Sequence, residues 1–594
     1  MVSYAAPMRD YQFVLTELLD GGAVAALPGY EDATPDTLMA VLEEAGKFCA
    51  NELLPLNMSG DAEGCTYENG VVRTPKGFKQ AYDAYCAGGW NGLTGNPEWG
   101  GQGLPRLLGA MFTEMICSTN LSFGTYPGLT AAAAEAIEQH ASPEMKARYL
   151  PNMVTGKWSG AMCLTEPHCG TDLGLMRTRA EPKGDGGYAV TGTKIFITAG
   201  EHDLTENIIY LVLARLPDAP KGSRGISLFL VPKFLLKPDG SVGPRNGVRC
   251  GSIEHKMGIK ASATCVMNFD EATGWLMGEP HRGLHAMFTM MNAARLGTAI
   301  QGVGLAEVAY QNARDYAKQR QQGRSLSGTK FPDLPADPII VHPDVRRMLL
   351  TVKANVEGSR ALAAWVGLEL DHMQKHPDAA RRQEAEDLVG LMLPILKAYF
   401  TDAGFEATNL AVQVLGGHGY IKEWGLEQLV RDARIAQLYE GANGIQALDL
   451  VGRKMPMHMG RLLRRFFHPV ERFVEDNRAD DDLEEFVQPL EKVFGRLQQA
   501  VMHLAVAGLK DPEEAGAGAT DFLKLFALTA LAFVWARSAK IALANQDGDE
   551  AAFYKAKLAT ARFFFARVLP QSSSLFATIM AGAKSLMEID AAAM

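Results

Sequence analysis

Apolar residues at three- and four-residue spacing run through most of residues 1–157. DYQFVLTELLD, DTLMAVLEEAGKFCANELLPL and PRLLGAMFTEMICSTNL carry this pattern, which predicts amphipathic helices. Gly-rich breaks such as NPEWGGQGLP separate them. Near Trp158 the texture changes to runs of Val, Ile, Phe and Tyr divided by turn sequences. GYAVTGTKIFITA, NIIYLVLARL, GISLFLVP and ATCVMNFD predict strands, with KGDGG, PDAPKGSRG and KPDGSVGPRNG as turns. An antiparallel β module is therefore expected between helical segments. From about Pro280 helices return. Val303, Ala306, Tyr310, Ala313 and Ala317 form one apolar face, and Ala403, Ala407, Leu410 and Val414 another, which Gly416-Gly417 ends. SLSGTKFPDLPADPIIVHPD between them reads as a Pro-rich loop. After Lys454 a further helical block carries an apolar stripe of Leu483, Leu490, Leu497, Val501 and Leu504, with DPEEAGAGAT as a loop. The expected domains are 1–157 (helical), 158–280 (β), 281–454 (helical bundle) and 455–594 (additional helical), an α+β multidomain chain.

Composition narrows the class. With 594 residues, 47% apolar and 21% charged, the chain is ordinary for a globular protein. Its formal charge of −10 disfavours nucleic acid and anionic membranes as general partners. Eight cysteines without a C-x-x-C argue against a disulfide scaffold and fit a reducing, cytoplasmic place, with a peripheral membrane contact left open. MVSYAAPMRD shows no secretory signal pattern. The apolar stretch Leu525 to Ala536 is too short for a transmembrane segment, which takes about 20 residues.

Several chemistries find no support. G-x-G-x-x-G after a strand, G-x-x-x-x-G-K-[ST] and G-x-S-x-G are all missing. His281 and His285 are four apart and could share a helix face. A third ligand is missing, so no metal is assigned. Cys163 and Cys169 read as small buried side chains before they read as a redox pair. Two segments stand out. MCLTEPHCGTDL, Met162 to Leu173, gathers hydroxyls and open backbone at the helix-to-strand switch. A turn alone accounts for it, or its donors serve a flat heteroaromatic ring. In QLYEGANGIQALDLVGRK, Glu440 lies in a Gly-rich turn, and Asn443 is placed to cap a helix starting near Gly444, with Gln446 at its third position. Glu440 is either a helix-start acid favoured by the dipole or a carboxylate free to face a reactive carbon.

In order along the chain stand MCLTEPHCGTD, KIFITAG, GIKASAT, ARLGTAIQGVGLA with YAKQRQQG, QVLGGHGY and LYEGANGIQ. Over residues 40–454 this order resembles the acyl-CoA dehydrogenase family of FAD enzymes. The opening and the long C-terminal block resemble its large-subunit branch, which includes 3-methylmercaptopropionyl-CoA and bacterial fatty acyl-CoA dehydrogenases. The resemblance implies an N-terminal helical domain, a middle β-barrel and a C-terminal helical bundle. It implies that Met162, Cys163, Leu164, Thr165, Gly170 and Thr171 line the flavin ring, with Thr171 also near the thioester. Phe196, Ile197 and Thr198 match a Trp-Ile-Thr stretch packed on the flavin. Arg320 and Gln322 match a pyrophosphate-binding stretch that is here one residue short. Gln413, Gly416 and Gly417 match the segment a neighbouring subunit lends to the cofactor. Glu440 matches the catalytic base and Gly441 a substrate-contacting Gly, whereas Ala442 replaces the usual Thr. Some branches carry the base just before an Arg in the first bundle helix. Here that position is Ala294, so Arg295 matches an orienting and substrate-side Arg.

The implied reaction is removal of an α-proton by Glu440 and of a β-hydride by FAD, giving a trans-2-enoyl-CoA. The implied substrate is a fatty acyl-CoA or 3-methylthiopropionyl-CoA, and the implied acceptor an electron-transferring flavoprotein. An oxidase of the same fold, or an idle scaffold, is the alternative. Phe112, Met115, Phe123, Tyr126 and Leu129 are expected to line the acyl tail. The extra block is expected to bury its stripe on its own subunit and to leave a homodimer.

Overall fold

The computed structural model describes residues 2–19, 21–184 and 186–594, so Asp185 of the KGDGG turn lies outside the described residues. The chain forms two compact units, one of residues 47–104 and 119–297, the other of 1–46, 105–118 and 298–594.

The first of these is built on seven strands: β1 (Trp158–Cys163), β2 (Arg179–Pro182), β3 (Tyr188–Thr198), β4 (Asn207–Arg215), β5 (Ile226–Pro232), β6 (Val248–Ile253) and β7 (Thr264–Met277). Pairing runs β7–β3–β2–β4–β5 and returns to β7, closing a barrel, with β6 added beside β7 and β1 beside β4. The module is not wholly antiparallel as expected. β1 runs parallel to β4, Trp158 opposite Asn207 through Cys163 opposite Val212, and β2 meets β4 in parallel at Arg179 and Arg215. These partners are joined by long excursions rather than tight turns, which is what parallel pairing needs. β4 reads as a continuous apolar run because both its faces are covered. Ile209, Leu211 and Leu213 pack with Ile137, Leu150, Met153 and Met287, and Ile208, Tyr210 and Val212 with Phe229, Val231 and Met267.

The helix Arg106–His140 is broken at Asn120 (φ −159°, ψ 87°). Asn120 Oδ1 accepts the Phe123 N–H at 3.0 Å and so caps the second half. Phe123 then packs against Phe78, Tyr82 and Tyr85, and the Tyr126 hydroxyl donates to Ala261 O at 3.0 Å. Both side chains are engaged in these core contacts. Phe112 and Met115 are likewise buried.

The other unit is helical: α1 (Gly283–Gln319, from Thr298 onward), α2 (Pro343–Lys375), α3 (Ala379–Leu415), α4 (Asn443–Asp449), α5 (Arg461–Asn477), α6 (Glu484–Lys510), α7 (Pro512–Ala544), α8 (Ala551–Phe563) and α9 (Ser572–Met580). α3 stops where the Gly pair predicts, Gly416 taking φ +61°. DPEEAGAGAT is not a loop but the start of α7. Asp511 accepts the Glu513 N–H at 3.0 Å, and Pro512 takes the first helical position, where its missing N–H costs nothing. α7 is apolar all round because it is the core of the added block. It touches α2, α3 and α4 on one side and α6, α8 and α9 on the other. The Leu483 to Leu504 stripe faces α7 and α9 and is buried within the added block, while α5, α7 and α8 pack on α2 and α3. Val501 is only half-buried. Trp535 on α7 donates to Ala354 O at 3.2 Å, over Gly358, where a Cβ would meet the indole nitrogen at 2.6 Å. By length and composition Ala379–Tyr420 and Pro512–Ala544 both reach a bilayer span, yet 72% and 78% of their most apolar windows are buried inside the protein. The all-round hydrophobicity is that of core helices.

Arg360 on α2, 2% exposed, ties this unit together. It donates to Asp10 Oδ2 at 2.5 Å, Glu114 Oε1 at 2.5 Å and Glu307 Oε2 at 2.6 Å. Replacing it by Met strips buried Glu114 and Glu307 of their cation and leaves Asp10 to Lys557 alone. Arg360→Met is expected to cost about 3–5 kcal/mol and to lower the melting temperature of the full chain. An unchanged melting curve contradicts this account of the unit.

Candidate active site

β1 ends at Cys163, and the chain passes through Leu164 and Thr165 before turning at Pro167-His168 between the paired Glu166 and Cys169. Thr165 O accepts the Ile195 N–H at 2.9 Å, which pins this segment to β3. Beneath it lies an ion pair that the sequence patterns did not single out. Lys194, wholly buried, donates to Glu166 Oε1 at 2.9 Å and to Leu164 O at 3.0 Å. Glu166 also accepts from Thr178 Oγ1 at 2.5 Å and Arg177 N at 2.8 Å. Burial pushes the Glu166 carboxyl up, but Lys194, Thr178 and the Arg177 N–H together hold it down at about 2. Burial lowers Lys194, and Glu166 works against that. Simple alternation along β3 would group Lys194 with exposed Phe196, and the register shift between Ile197 and Lys194 is what lets it turn inward, where a charge demands a partner.

Above this anchor the segment presents open groups. The N–H groups of Thr165, Gly170 and Thr171 have no acceptor among the described residues. Phe196 takes φ +58° at the end of β3 and leaves its ring 60% exposed. Thr198 and Met162 are half-buried. Cys163 and Ile197 turn their side chains into the barrel core and cannot offer them to a ligand. Burial pushes the Cys163 thiol up to about 12, so it is inert packing. His281 precedes α1 and shares no helix face with His285, whose ring lies edge-on to His140 at 5.7 Å. Arg295 is buried on α1, its guanidinium 5.8 Å over Phe288 and Nη1 donating to Asn292 at 3.2 Å.

In the helical unit, Glu440 takes φ +57° and Gly441 φ +87°. The left-handed region costs a non-Gly residue roughly 1–3 kcal/mol and persists only where surroundings impose it. Gln446 Nε2 donates to Glu440 O at 3.0 Å, and Lys397 Nζ to Gly441 O at 2.7 Å. A Cβ at Gly441 would stand 2.4 Å from Gln446 Nε2 and would displace that side chain from the turn, and at φ +87° any other residue is strained. The expected cap is corrected. α4 starts at Asn443, and Ala442 is its cap without a side-chain bond. Asn443 instead turns to α3, donating to Asp402 Oδ1 at 2.7 Å, Thr401 Oγ1 at 3.0 Å and Ala398 O at 3.1 Å. Tyr439, beside the turn, bonds Gln301.

Arg320 lies just beyond α1, exposed, and its guanidinium has no partner among the described residues. Gln322 is exposed, with its main chain tied to Asp337 O at 2.9 Å and to His342 Nε2 at 2.8 Å. Asp337, fully buried, holds the Pro-rich loop by accepting the Ser325 and Phe331 N–H groups at 2.9 Å each. Gln413, Gly416 and Gly417 lie exposed at the end of α3. The two stretches meet: Tyr316, one turn before Arg320, bonds His418 Nδ1 at 2.9 Å.

Four family models match the chain in sequence order. They are the acyl-CoA dehydrogenase N-terminal domain (35–157), middle domain (161–272) and C-terminal domain (281–455), and an acetyl-CoA dehydrogenase C-terminal like domain (466–590). A 3-methylmercaptopropionyl-CoA dehydrogenase of Ruegeria pomeroyi is 44% identical over 99% of both chains. A butyryl-CoA dehydrogenase of Syntrophomonas wolfei is 34% identical over 98% of this chain and 97% of its own. Among solved structures, a chain from the electron transferring flavoprotein study of Acidaminococcus fermentans superposes with TM-score 0.58 at 26% identity, covering 71% of this chain and 98% of that one.

The Glu166 anchor has a pH signature. Its folded value of about 2 lies below the ordinary 4.5, so its contribution is present above 4.5 and fades as pH falls toward 2. Glu166→Gln is therefore expected to melt well below the wild type at about pH 7, with the gap closing toward about pH 3. A gap independent of pH contradicts the assignment.

Proposed function

Because the chain belongs to the acyl-CoA dehydrogenase family, we propose that it oxidises 3-methylmercaptopropionyl-CoA to its trans-2-enoyl thioester with FAD, passing the electrons to an electron-transferring flavoprotein. It is an acyl-CoA dehydrogenase, an oxidoreductase acting on the α,β carbon–carbon bond of CoA thioesters. The substrate reading rests on the Ruegeria pomeroyi relative, whose identity of 44% exceeds the 34% of the butyryl-CoA enzyme. Both named substrates are short, unbranched acyl groups, the first with a sulfur in place of a methylene.

The residues present fit a flavin dinucleotide. The uncovered Phe196 ring and the open amides of Thr165 and Thr171 suit a flat ring with hydrogen-bonding edges. The open Arg320 guanidinium suits a pyrophosphate, with Gln413, Gly416 and Gly417 from a second copy completing the site. When bound, FAD accepts the β-hydrogen as hydride. The protein's part is the proton. An α-hydrogen of a thioester is a weak acid, so its removal needs a positioned base and a polarised carbonyl. Glu440 takes that proton, and its main-chain N–H donates to the thioester oxygen as negative charge develops. Gly441 leaves room beside it for the substrate, and Arg295 serves the substrate side. The observation that carries this reading is the left-handed Glu440, a carboxylate held in a disfavoured backbone by bonds to the carbonyls on either side of Gly441.

We place the enzyme in the cytoplasm as a homodimer. Gln413, Gly416 and Gly417 stand with exposed Tyr420 and Ile421, a surface suited to a second copy, while α7 already covers part of α2 and α3. Light scattering should give the mass of two chains, and four chains would overturn the assembly. Glu440→Gln should keep its yellow flavin and lose at least about 10²–10⁴ in turnover with 3-methylmercaptopropionyl-CoA and a dye acceptor. Near-normal turnover would refute the base. In the wild type, butyryl-CoA turning over markedly faster than 3-methylmercaptopropionyl-CoA would refute the substrate.

A further inference from the structure

The turn that carries Glu440 is gripped from behind by a buried ammonium group. Lys397 lies midway along α3 with its side chain wholly shielded from solvent. Its Nζ donates to Gly441 O at 2.7 Å and to Asn443 Oδ1 at 2.9 Å. A buried ammonium is costly unless its donors meet acceptors, so a lysine here is a demanding choice that an apolar residue would avoid. Asn443 is itself fastened to Ala398 O, Thr401 Oγ1 and Asp402 Oδ1, all on α3. Gln437, ahead of the turn, also reaches Asp402 Oδ1, at 2.8 Å. Together with Gln446 on the Glu440 carbonyl, these bonds leave both carbonyls of the left-handed pair in the hold of a side chain. Of the two holds, the one from Lys397 comes from a different, rigid helix. It is the bond that relates the turn to the rest of the bundle rather than to its own next turn of chain.

Resting on the assignment of Glu440 as the base, the geometry points to Lys397 as a positioning residue of the reaction. It acts through the Gly441 carbonyl, fixing the Glu440-Gly441 backbone in the left-handed conformation from which the carboxylate reaches the α-hydrogen. A base displaced by an ångström loses on the order of a hundredfold in rate while the binding contacts of the substrate stay as they were.

Lys397→Met preserves the length of the side chain and removes the donors. The test uses the holoenzyme, mixed anaerobically with whichever of 3-methylmercaptopropionyl-CoA and butyryl-CoA bleaches the wild-type flavin faster. The rate constant of bleaching is read per flavin, and substrate affinity from its concentration dependence. We expect the rate constant to fall by about ten- to a hundredfold with affinity within about twofold. The isotope effect with α-deuterated substrate should rise, because proton removal becomes more fully rate-limiting. A lower melting temperature with the per-flavin rate constant and isotope effect unchanged is what a merely structural lysine gives, and it overturns the proposal. Should Lys397→Met not fold as a flavoprotein, Asn443→Ala removes one acceptor and leaves the ammonium in place. A severalfold slower bleaching with a raised isotope effect then supports the proposal, and wild-type bleaching overturns it. Glu440→Gln separates the two layers. Bleaching at the wild-type rate in that variant defeats the base itself, whereas an inert Glu440→Gln beside a fast Lys397→Met defeats the role of Lys397 alone.

Discussion

Within the helical unit a single guanidinium receives three carboxylates from stretches of chain far apart in sequence. Asp10 comes from the N-terminal segment, Glu114 from the helix Arg106–His140 and Glu307 from α1, and all three converge on Arg360 of α2. Lys557 of α8 then closes on Asp10 and, at 2.6 Å, on Glu357, bringing the added C-terminal block into the same network. Burial pushes the carboxyl of Glu114 up to about 7 despite Arg360, with Glu307 and Asp10 adding to the crowding. For Asp10 burial acts upward too, but Lys557 and Arg360 prevail and hold it below the ordinary carboxylate range. Such a network contributes little net stability over an apolar core, yet removing one member is severe. What it enforces is registry. Apolar helix faces tolerate sliding by a turn, whereas a guanidinium with a fixed fork of donors matches its acceptors in one arrangement.

The same logic appears, smaller, in each of the two units. Glu166 and Lys194 form a buried pair under the segment Leu164–Thr165, and Lys397 forms a buried cation under the turn of Glu440. In each case an ion that is expensive to bury is bonded to a main-chain carbonyl of a segment of the proposed site. The strain at Glu440 and the exposure of Phe196 are sustained by these anchors and by the rigid elements behind them, the barrel and α3. The added C-terminal block takes part as well. α7 packs on α4, the helix that follows the Glu440 turn, so the block belongs to the support of the turn as much as to the outer surface.

Much of this was legible in the chain. Helix period, strand alternation and turn residues mark where helices give way to the barrel, because each is a local consequence of burial on one face. The Gly-rich turn singled out Glu440, but its reading as a base came from the order of motifs and not from the turn itself. β1 and β6 escaped because Gly160 and Gly251 interrupt them and leave too little apolar run to register as strands. DPEEAGAGAT read as a loop through its glycines, although Asp-Pro-Glu-Glu is a sound helix start and burial of α7 overrides the weak propensity that follows. Asn443 carried the right residue type for a cap and found better partners on α3. Glu166 with Lys194, Lys397, Asp337 and the Arg360 network were invisible for one shared reason: each pairs residues distant in sequence, and a lone charge carries no mark of its partner.

The central claim, that Glu440 removes the α-proton, is tested most directly by following that proton apart from the oxidation. In deuterium oxide, reduced enzyme held with 3-methylmercaptopropionyl-CoA should exchange the α-hydrogen of the thioester for solvent deuterium, read by mass spectrometry. The account predicts exchange catalysed by the wild type and none above background by Glu440→Gln with its flavin in place. Equal exchange by the two proteins would contradict it.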